Sequence, residues 1–207
     1  YFGPQENDQF WPKLRDELLQ KPMWKDAVPS LDETSTAVVA RLGNPSISQF
    51  ATRGLVLGYV QSGKTANFTA TIAKAADAGY RLFIVLSGVH NSLRRQTQLR
   101  LEQQIVDVNP INWVGLTTED ADFGNPVMAL PLVAGSELKL LAVVKKNVSR
   151  LTNLVNWLET AQKHGALNRC PILIIDDEAD QASVNTANTS RPGSELDSSA
   201  IHAKLKE

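Results

Sequence analysis

The sequence is poor in several features that would announce a particular class of protein. Its 207 residues include one cysteine, Cys170, so a disulfide framework is excluded. A lone thiol agrees with a reducing cytoplasm, and we expect the protein to be cytoplasmic. No apolar run reaches the length that would cross a membrane. The net charge of −1 creates no overall positive field, so any contact with nucleic acid must come from a local patch.

What remains is the composition of an ordinary globular protein. Apolar residues make up 43% of the chain and charged residues 21%. A chain of this length holds one α/β domain and an appendage, but not comfortably two full domains. Because the sequence begins with Tyr1 rather than methionine, we expect it to be a fragment of a longer protein.

Prolines and apolar runs divide the chain into three parts. Residues 1–43 are predicted to form a helical extension in which Trp11 and Trp24 are packing residues. Residues 44–183 alternate apolar strand patterns with helical ones, which predicts a parallel sheet covered by helices on both faces. Residues 184–207 are predicted to be a polar loop followed by a short helix.

The hydrophobic patterns locate the individual elements. The predicted strands are residues 54–57, 81–86, 111–116, 138–144 and 172–175. The predicted helices of the main part are residues 66–78, 91–106 and 148–163. Between them, residues 117–135 are predicted to be rich in loops. Ligands of such sheets bind at the carboxyl ends of the strands.

Residues 58–65 read Gly-Tyr-Val-Gln-Ser-Gly-Lys-Thr and match the phosphate-loop pattern G-x-x-x-x-G-K-[ST]. The pattern lies between a predicted strand and a predicted helix, where backbone N–H groups and the helix dipole attract a phosphate. Lys64 is predicted to reach the β- and γ-phosphates of ATP, and the Thr65 hydroxyl to ligate Mg²⁺. Asn67 and Gln61 flank the loop, where contact with the nucleotide and a packing role are both open. The candidate nucleotide-binding residues are Gly58, Gln61, Ser62, Gly63, Lys64, Thr65, Ala66 and Asn67.

The last predicted strand ends in a run of acids, Asp176-Asp177-Glu178-Ala179-Asp180. In combination with a phosphate loop, one aspartate is expected to hold Mg²⁺ and the following acid to polarise the attacking water. In the register that we prefer, Asp177 is the metal ligand and Glu178 the catalytic acid. In the alternative register both roles move back one residue, to Asp176 and Asp177. Successive strand residues point to opposite faces, so both aspartates serve the metal only if the strand ends between them.

With these two motifs in place, the chain resembles the first RecA-like lobe of a superfamily 2 helicase. More narrowly, residues 58–67, 74–80, 117–123 and 174–183 are similar to the Z1-domain helicase-like proteins, a bacterial family. In that family the ATPase accompanies a putative endonuclease domain, often in defence or restriction systems. The resemblance covers residues 53–183 and implies a RecA-like P-loop fold, ATP and Mg²⁺ as cofactors, and an ATPase that acts on nucleic acid, with DNA favoured over RNA.

The resemblance also implies a surface that grips the phosphates of one strand, formed by residues after two strand ends. The implied contacts are His90, Asn91, Arg94, Arg95, Lys145, Lys146 and Asn147. His90 and Asn91 are equally compatible with capping the helix that begins there. The second RecA lobe and the nuclease domain are expected in the full-length chain, and without them this lobe is expected to bind nucleotide weakly and hydrolyse it slowly.

A function of another class stays open at this stage. In this alternative, ATP binding orders residues 181–199 and recruits a protein partner, and no translocation on nucleic acid takes place. A third, weaker reading is another P-loop enzyme such as a kinase, against which the run of acids argues. The segment 117–120, Thr-Thr-Glu-Asp, is either a capped loop or a family-specific contact.

Overall fold

The computed structural model describes residues 3–47, 49–57, 63–126 and 129–180. Within these ranges, strands and helices alternate from residue 64 onward, after two helices that precede them. The helices are α1 (Phe10–Leu19), α2 (Val28–Val39), α3 (Lys64–Asp77), α4 (Asn91–Leu101), α5 (Leu130–Gly135) and α6 (Val148–Lys163). The strands are β1 (Leu82–Ser87), β2 (Trp113–Gly115), β3 (Lys139–Lys145) and β4 (Ile172–Asp176).

The four strands form one parallel sheet in the order β2-β3-β1-β4. β1 lies in the middle and pairs with β3 on one side and β4 on the other; Ile84, for example, is opposite Ala142 and Ile174. All six residues of β1 are buried, as expected for a strand covered on both faces. The predicted α/β fold with a parallel sheet is confirmed, and it is consistent with a Rossmann-like or RecA-like fold.

Alternation along the strands divides the core between two faces of the sheet. Phe83 and Val85 of β1 pack into a cluster with α1, α2 and α3, which we call the helical layer. Ile84 and Leu86 pack into a second cluster on the other face, together with residues of α5 and α6 such as Trp157. The period-2 pattern of a strand explains why consecutive apolar residues serve different clusters.

The N-terminal helices belong to this packing. Asp77, the last residue of α3, accepts hydrogen bonds from the backbone N–H groups at the start of α1, those of Gln9, which precedes the helix, and of Phe10 and Trp11, at 2.7, 2.9 and 2.8 Å. These donors have no partner within their own helix, so Asp77 takes the place of a capping residue. The Trp11 side chain is fully buried and Trp24 packs against the same core, which confirms both as packing residues.

Several predicted elements differ from the observed ones. The predicted strand at residues 54–57 is wrong, because no described residue pairs with this segment, and Leu55 and Leu57 are 76% and 84% exposed. An apolar run forms a strand only where a neighbouring strand supplies its hydrogen bonds. Residues 117–135 include the short helix α5, which the sequence reading missed. The predicted loop and helix at residues 184–207 lie outside the described residues.

Candidate functional site at the carboxyl edge of the sheet

Helix α3 begins at the edge of the sheet where the parallel strands end. Gly63, just before the helix, has φ of 77°, a left-handed conformation that glycine adopts without steric penalty. Lys64 opens the helix with an exposed side chain, and Thr65 follows half-buried. Of the predicted nucleotide-binding residues, Gly58, Gln61 and Ser62 lie outside the described part of the chain. The described residues of the phosphate-loop pattern are therefore Gly63, Lys64 and Thr65, which lie at the start of α3.

The next two predicted nucleotide-binding residues face other parts of the protein. Ala66 packs against the helical layer. The side-chain amide of Asn67 donates a hydrogen bond of 2.8 Å to the Thr34 hydroxyl of α2. The Asn67 amide nitrogen is therefore engaged in a contact between α3 and α2, which favours the packing role over contact with the nucleotide.

The acids at the end of β4 form a short turn, residues 176–178, which we call the acidic turn. Asp176 is the last strand residue and lies opposite Leu86 of β1. The Asp177 backbone N–H still donates to Leu86 O at 2.9 Å, and one Asp177 carboxylate oxygen accepts from the Glu178 N–H at 3.1 Å. Glu178 has φ of 56°, a left-handed conformation that is unfavourable for a residue other than glycine. The strand therefore ends between Asp176 and Glu178.

Asp177 and Lys64 are near enough to interact electrostatically. Burial raises the pKa of Asp177 above its ordinary value, and the neighbouring charge of Glu178 raises it further. The Glu178 backbone N–H and the charges of Lys146 and Lys64 act in the opposite direction. Helix α3 and strand β4 thus bring a lysine of the phosphate-loop pattern and a carboxylate of the acidic turn to the same edge of the sheet.

Lys146 reaches into the acidic turn from the segment between β3 and α6. Its side chain is fully buried, and Nζ donates to Asp176 Oδ1 at 2.8 Å, to Asp177 O at 2.7 Å and to Glu178 O at 2.6 Å. One carboxylate oxygen of Asp176 is therefore engaged by a lysine. Lys146 thus supplies a counter-charge to Asp176, whereas one carboxylate oxygen of Asp177 accepts from a backbone N–H.

Four residues of the predicted nucleic-acid surface lie at or beside the ends of β1 and β3, and we call them the strand-end cluster: His90, Asn91, Arg95 and Lys145. Lys145 Nζ donates to Asn91 Oδ1 at 2.7 Å, which joins the two predicted segments. Arg95 is exposed and forms an ion pair with Asp120. His90 is the residue before α4, and its side chain makes no capping hydrogen bond. Asn91 is the first residue of α4 and His90 is its N-cap residue, so capping by Asn91, which the sequence left open, is not observed.

The other predicted nucleic-acid contacts have structural partners instead. Arg94 is 3% exposed, and its guanidinium donates to the backbone carbonyls of Thr118 (2.9 Å) and Glu119. Lys146 is buried in the acidic turn. Asn147 caps α6, since its Oδ1 accepts from the N–H groups at positions 149 and 150 at 3.0 and 3.4 Å. Arg94 and Lys146 are therefore not available to a phosphate, because both are buried and their charged groups already donate to partners within the protein.

The sequence reading missed two buried polar links that shape this edge. Thr117 donates from its hydroxyl to Gln98 Oε1 at 2.8 Å and accepts from Val143 N at 2.8 Å. Gln98 also donates to Thr117 O at 3.0 Å, which fixes the start of the 117–120 segment against α4. Buried polar groups of this kind are normally paired, but nothing in a single sequence identifies their partners. The role of Lys146 was missed for the same reason, since its partners lie about thirty residues away.

Gln49, which precedes the phosphate-loop pattern in the sequence, lies elsewhere. It lines a cleft of about 1160 Å³ together with Gly79 and Arg81, which stand between the end of α3 and the start of β1. This is the amino edge of the sheet, opposite the edge where β1 and β4 end. In the structure Gln49 is thus separated from Lys64 by the length of α3.

Comparison with protein-family models, curated proteins and solved structures found no match to this chain. In the described ranges, no three His, Cys, Asp or Glu side chains are grouped as a ready-made metal site. The described helices include none that is long and apolar enough to cross a membrane. A proposal for the function of this chain therefore rests on the geometry at the carboxyl edge of the sheet.

Proposed function

We propose that this chain binds ATP and Mg²⁺ at the carboxyl edge of its sheet and acts as the ATP-hydrolysing motor lobe of a superfamily 2 helicase-like protein. The observation that carries the proposal is that the N-terminus of α3, with Lys64, and the acidic turn after β4 lie at the same edge of the sheet, where the charge of Lys64 acts on Asp177. A helix N-terminus, an exposed lysine and a half-buried carboxylate lie at this edge, a combination that suits phosphoryl transfer. The full-length protein would add a second RecA lobe and a putative nuclease domain.

The oxygen donors at this edge fit Mg²⁺. The ion prefers hard oxygen ligands and is commonly held by one or two carboxylates together with substrate phosphates and water. Asp177 and the Thr65 hydroxyl would hold it, and its charge would neutralise charge on the phosphates. Because burial disfavours the ionised form of Asp177, a nearby cation would be stabilising there. Lys64 would contact the phosphates, and Glu178 would polarise the attacking water.

The polymer would lie across the strand-end cluster. His90, Asn91 and Arg95 are exposed and Lys145 is half-buried, in contrast to the buried Arg94 and Lys146, and contacts of this kind bind phosphates without reading sequence. Single-stranded DNA is the expected partner. The revised surface has fewer cations than the sequence predicted, so binding by the isolated lobe should be weak and strongly dependent on salt.

The direct test is nucleotide binding by Lys64→Ala, measured by calorimetry with ATP and Mg²⁺. We expect this variant to lose binding, while Lys163→Ala, which changes an exposed lysine at the end of α6, keeps the wild-type affinity. Equal affinities of the two variants would refute the proposal. Binding rather than turnover is the appropriate readout, because hydrolysis by this lobe alone is expected to be slow.

The metal register has its own test. We expect Asp177→Asn to lose the Mg²⁺-dependent part of nucleotide binding and Asp176→Asn to keep it, since Asp176 pairs with Lys146. The reverse result would transfer the metal to Asp176. Both measurements use the same calorimetric titration, with and without Mg²⁺.

The burial of Arg94 and Lys146 favours a second candidate function, a nucleotide-gated switch that binds a protein partner without translocating. The two functions differ in their response to DNA. Stimulation of the ATPase of the full-length protein by single-stranded DNA would support the motor, and nucleotide-dependent partner binding without such stimulation would support the switch.

A further inference from the structure

We propose that Lys146 is a positioning residue that sets the conformation of the acidic turn, so that Asp177 and Glu178 are presented to a bound metal–nucleotide. This inference rests on the proposed function and adds to it a residue that neither the phosphate-loop pattern nor the acidic run contains. Lys146 itself is buried and would touch neither nucleotide nor metal.

The first support is the set of acceptors. The ammonium group of Lys146 contacts three consecutive residues, through the Asp176 carboxylate and the backbone carbonyls of Asp177 and Glu178. A lysine ammonium has three donors, and these described contacts, all within 2.8 Å, distribute its donors over three consecutive residues. A side chain that served only to neutralise Asp176 would not need the two carbonyls.

The second support is the backbone of the turn. Glu178 is held at a positive φ, and non-glycine residues remain in such conformations only where their surroundings enforce it. Lys146 Nζ donates to the carbonyl of this same residue, at 2.6 Å. The lysine therefore stabilises the conformation that turns the chain immediately after Asp177.

The third support is the rigidity of the lysine's own position. The Lys146 backbone N–H donates to Ser87 O at the end of β1, at 3.3 Å, and the next residue, Asn147, caps α6. The side chain thus extends from a backbone that is fixed by β1 on one side and by a helix on the other. Groups that orient the ligands of a metal act in this way, and their loss lowers metal affinity about ten- to a hundredfold.

The test measures metal affinity separately from nucleotide affinity. Mn²⁺ replaces Mg²⁺, and the electron paramagnetic resonance signal of free Mn²⁺ gives its affinity in the presence of a non-hydrolysable ATP analogue. Lys146→Met removes the contacts to Asp176, Asp177 and Glu178 but leaves Asp176 without its counter-charge. The double variant Lys146→Met with Asp176→Asn removes both charges, and circular dichroism confirms that each variant is folded.

We expect the double variant to keep the metal-free affinity for the nucleotide analogue and to lose Mn²⁺ affinity by about ten- to a hundredfold. Lys146→Arg, which keeps the charge and the donors, should restore most of the loss. Lys163→Met is the matched control and should behave as the wild type. Asp176→Asn alone should also remain near the wild type, because an amide oxygen still accepts from Lys146.

Two results would overturn the inference while leaving the proposed function intact. The first is wild-type Mn²⁺ affinity in the double variant or in a folded Lys146→Met. The second is a loss in Asp176→Asn alone that equals the loss in the double variant, which would make Asp176 itself the metal ligand. Absence of metal-dependent nucleotide binding in the wild-type chain would refute the proposed function and this inference together.

Discussion

The helical layer and the carboxyl edge of the sheet each contain a lysine whose side chain is fully buried, but the two lysines hold different things. Lys74 of α3 contacts Asp32 of α2 through both a carboxylate oxygen and the backbone carbonyl, and it donates to the Thr36 hydroxyl at 2.7 Å. It also lies 4.4 Å from the ring centroid of Trp11 in α1. Lys74 thus joins three helices.

Lys146, in contrast, holds three consecutive residues at the end of one strand. The difference separates two uses of a buried charge. A charge that joins elements distant in sequence contributes to the stability of the fold, whereas one that grips a single turn fixes the geometry of that turn. Substitutions in the helical layer should therefore change the free energy of unfolding more than they change ligand binding.

The largest expected effect in the helical layer comes from Asp32→Asn. The substitution leaves the buried ammonium of Lys74 without a counter-charge. Because the Asp32 side chain is itself 35% exposed, the cost should be about 2–3 kcal/mol, at or below the lower end of the range for a fully buried ion pair. Urea unfolding measures the loss. Asp26→Asn, which changes an exposed aspartate just before α2, should stay within about 0.5 kcal/mol of the wild type. Similar values for both variants would mean that the buried pair does not stabilise the fold.

The same variant should change how stability depends on pH. Burial lowers the pKa of Lys74 below 10.5, while the charges of Asp32 and Asp8 raise it. Between the folded-state pKa and 10.5 the unfolded chain binds more protons, so stability rises with pH, by at most about 1.4 kcal/mol per pH unit.

Asp32→Asn should lower the pKa of Lys74 further, so in the variant the rise of stability with pH should begin at a lower pH. The difference in free energy of unfolding between variant and wild type should therefore narrow as pH rises toward 10.5. Urea titrations at a series of pH values give this difference directly. Tyr80 and Lys139 also titrate with shifted pKa values, but they are present in both proteins and cancel in the difference. A difference that does not change with pH would contradict the role assigned to Lys74.

Removal of the carboxylate that caps α1 should have a smaller effect. Asp77→Ala leaves three backbone N–H groups at the start of α1 without their acceptor and should cost about 1–2 kcal/mol. Asp77→Asn keeps one acceptor oxygen. It also removes a negative charge that is unfavourable there, since burial raises the pKa of the Asp77 carboxyl, so this substitution should cost clearly less than Asp77→Ala. Equal losses in the two variants, measured by urea unfolding, would show that the negative charge rather than the acceptor matters.

The smallest effect is expected where α2 meets the first turn of α3. Thr34→Val removes the hydrogen bond from Asn67 and should cost about 0.5–1 kcal/mol, as is typical of a single neutral hydrogen bond. The matched control is Thr160→Val, whose hydroxyl bonds to Asn156 O within its own helix. A loss at Thr34 no greater than the loss at Thr160 would mean that this bond does not tie the two helices together.

Much of the fold was predictable because local patterns determine it. The apolar runs of β1, β3 and β4 were located within a residue or two, and helix α6 was predicted with its observed bounds. Gly79, with φ of 108°, ends the region of α3 as predicted. The segment 54–57 was not predictable in this way, since its apolar pattern says nothing about whether a partner strand is beside it.

At the candidate site, the sequence named residues that the structure brings to one edge of the sheet, but not which of them bond to internal partners. Lys64, Asp177 and the pair Asn91–Lys145 could be named from motifs and strand ends. The sequence could not show that Arg94 and Lys146 are buried, since a lysine or arginine at a strand end looks the same whether it faces solvent or an internal carbonyl. Only the tertiary contacts distinguish these cases.

Lys145 of the strand-end cluster is the chain neighbour of Lys146, whose side chain contacts the acidic turn. Lys145 reaches outward to Asn91, and Lys146, whose Cα is only about 3.8 Å further along the chain, reaches inward to the carbonyls after β4. A polyanion that drew Lys145 away from Asn91 would strain the backbone that supports Lys146. Communication between polymer and carboxylates would then need no relay through the body of the domain, only the tilt of one amide plane.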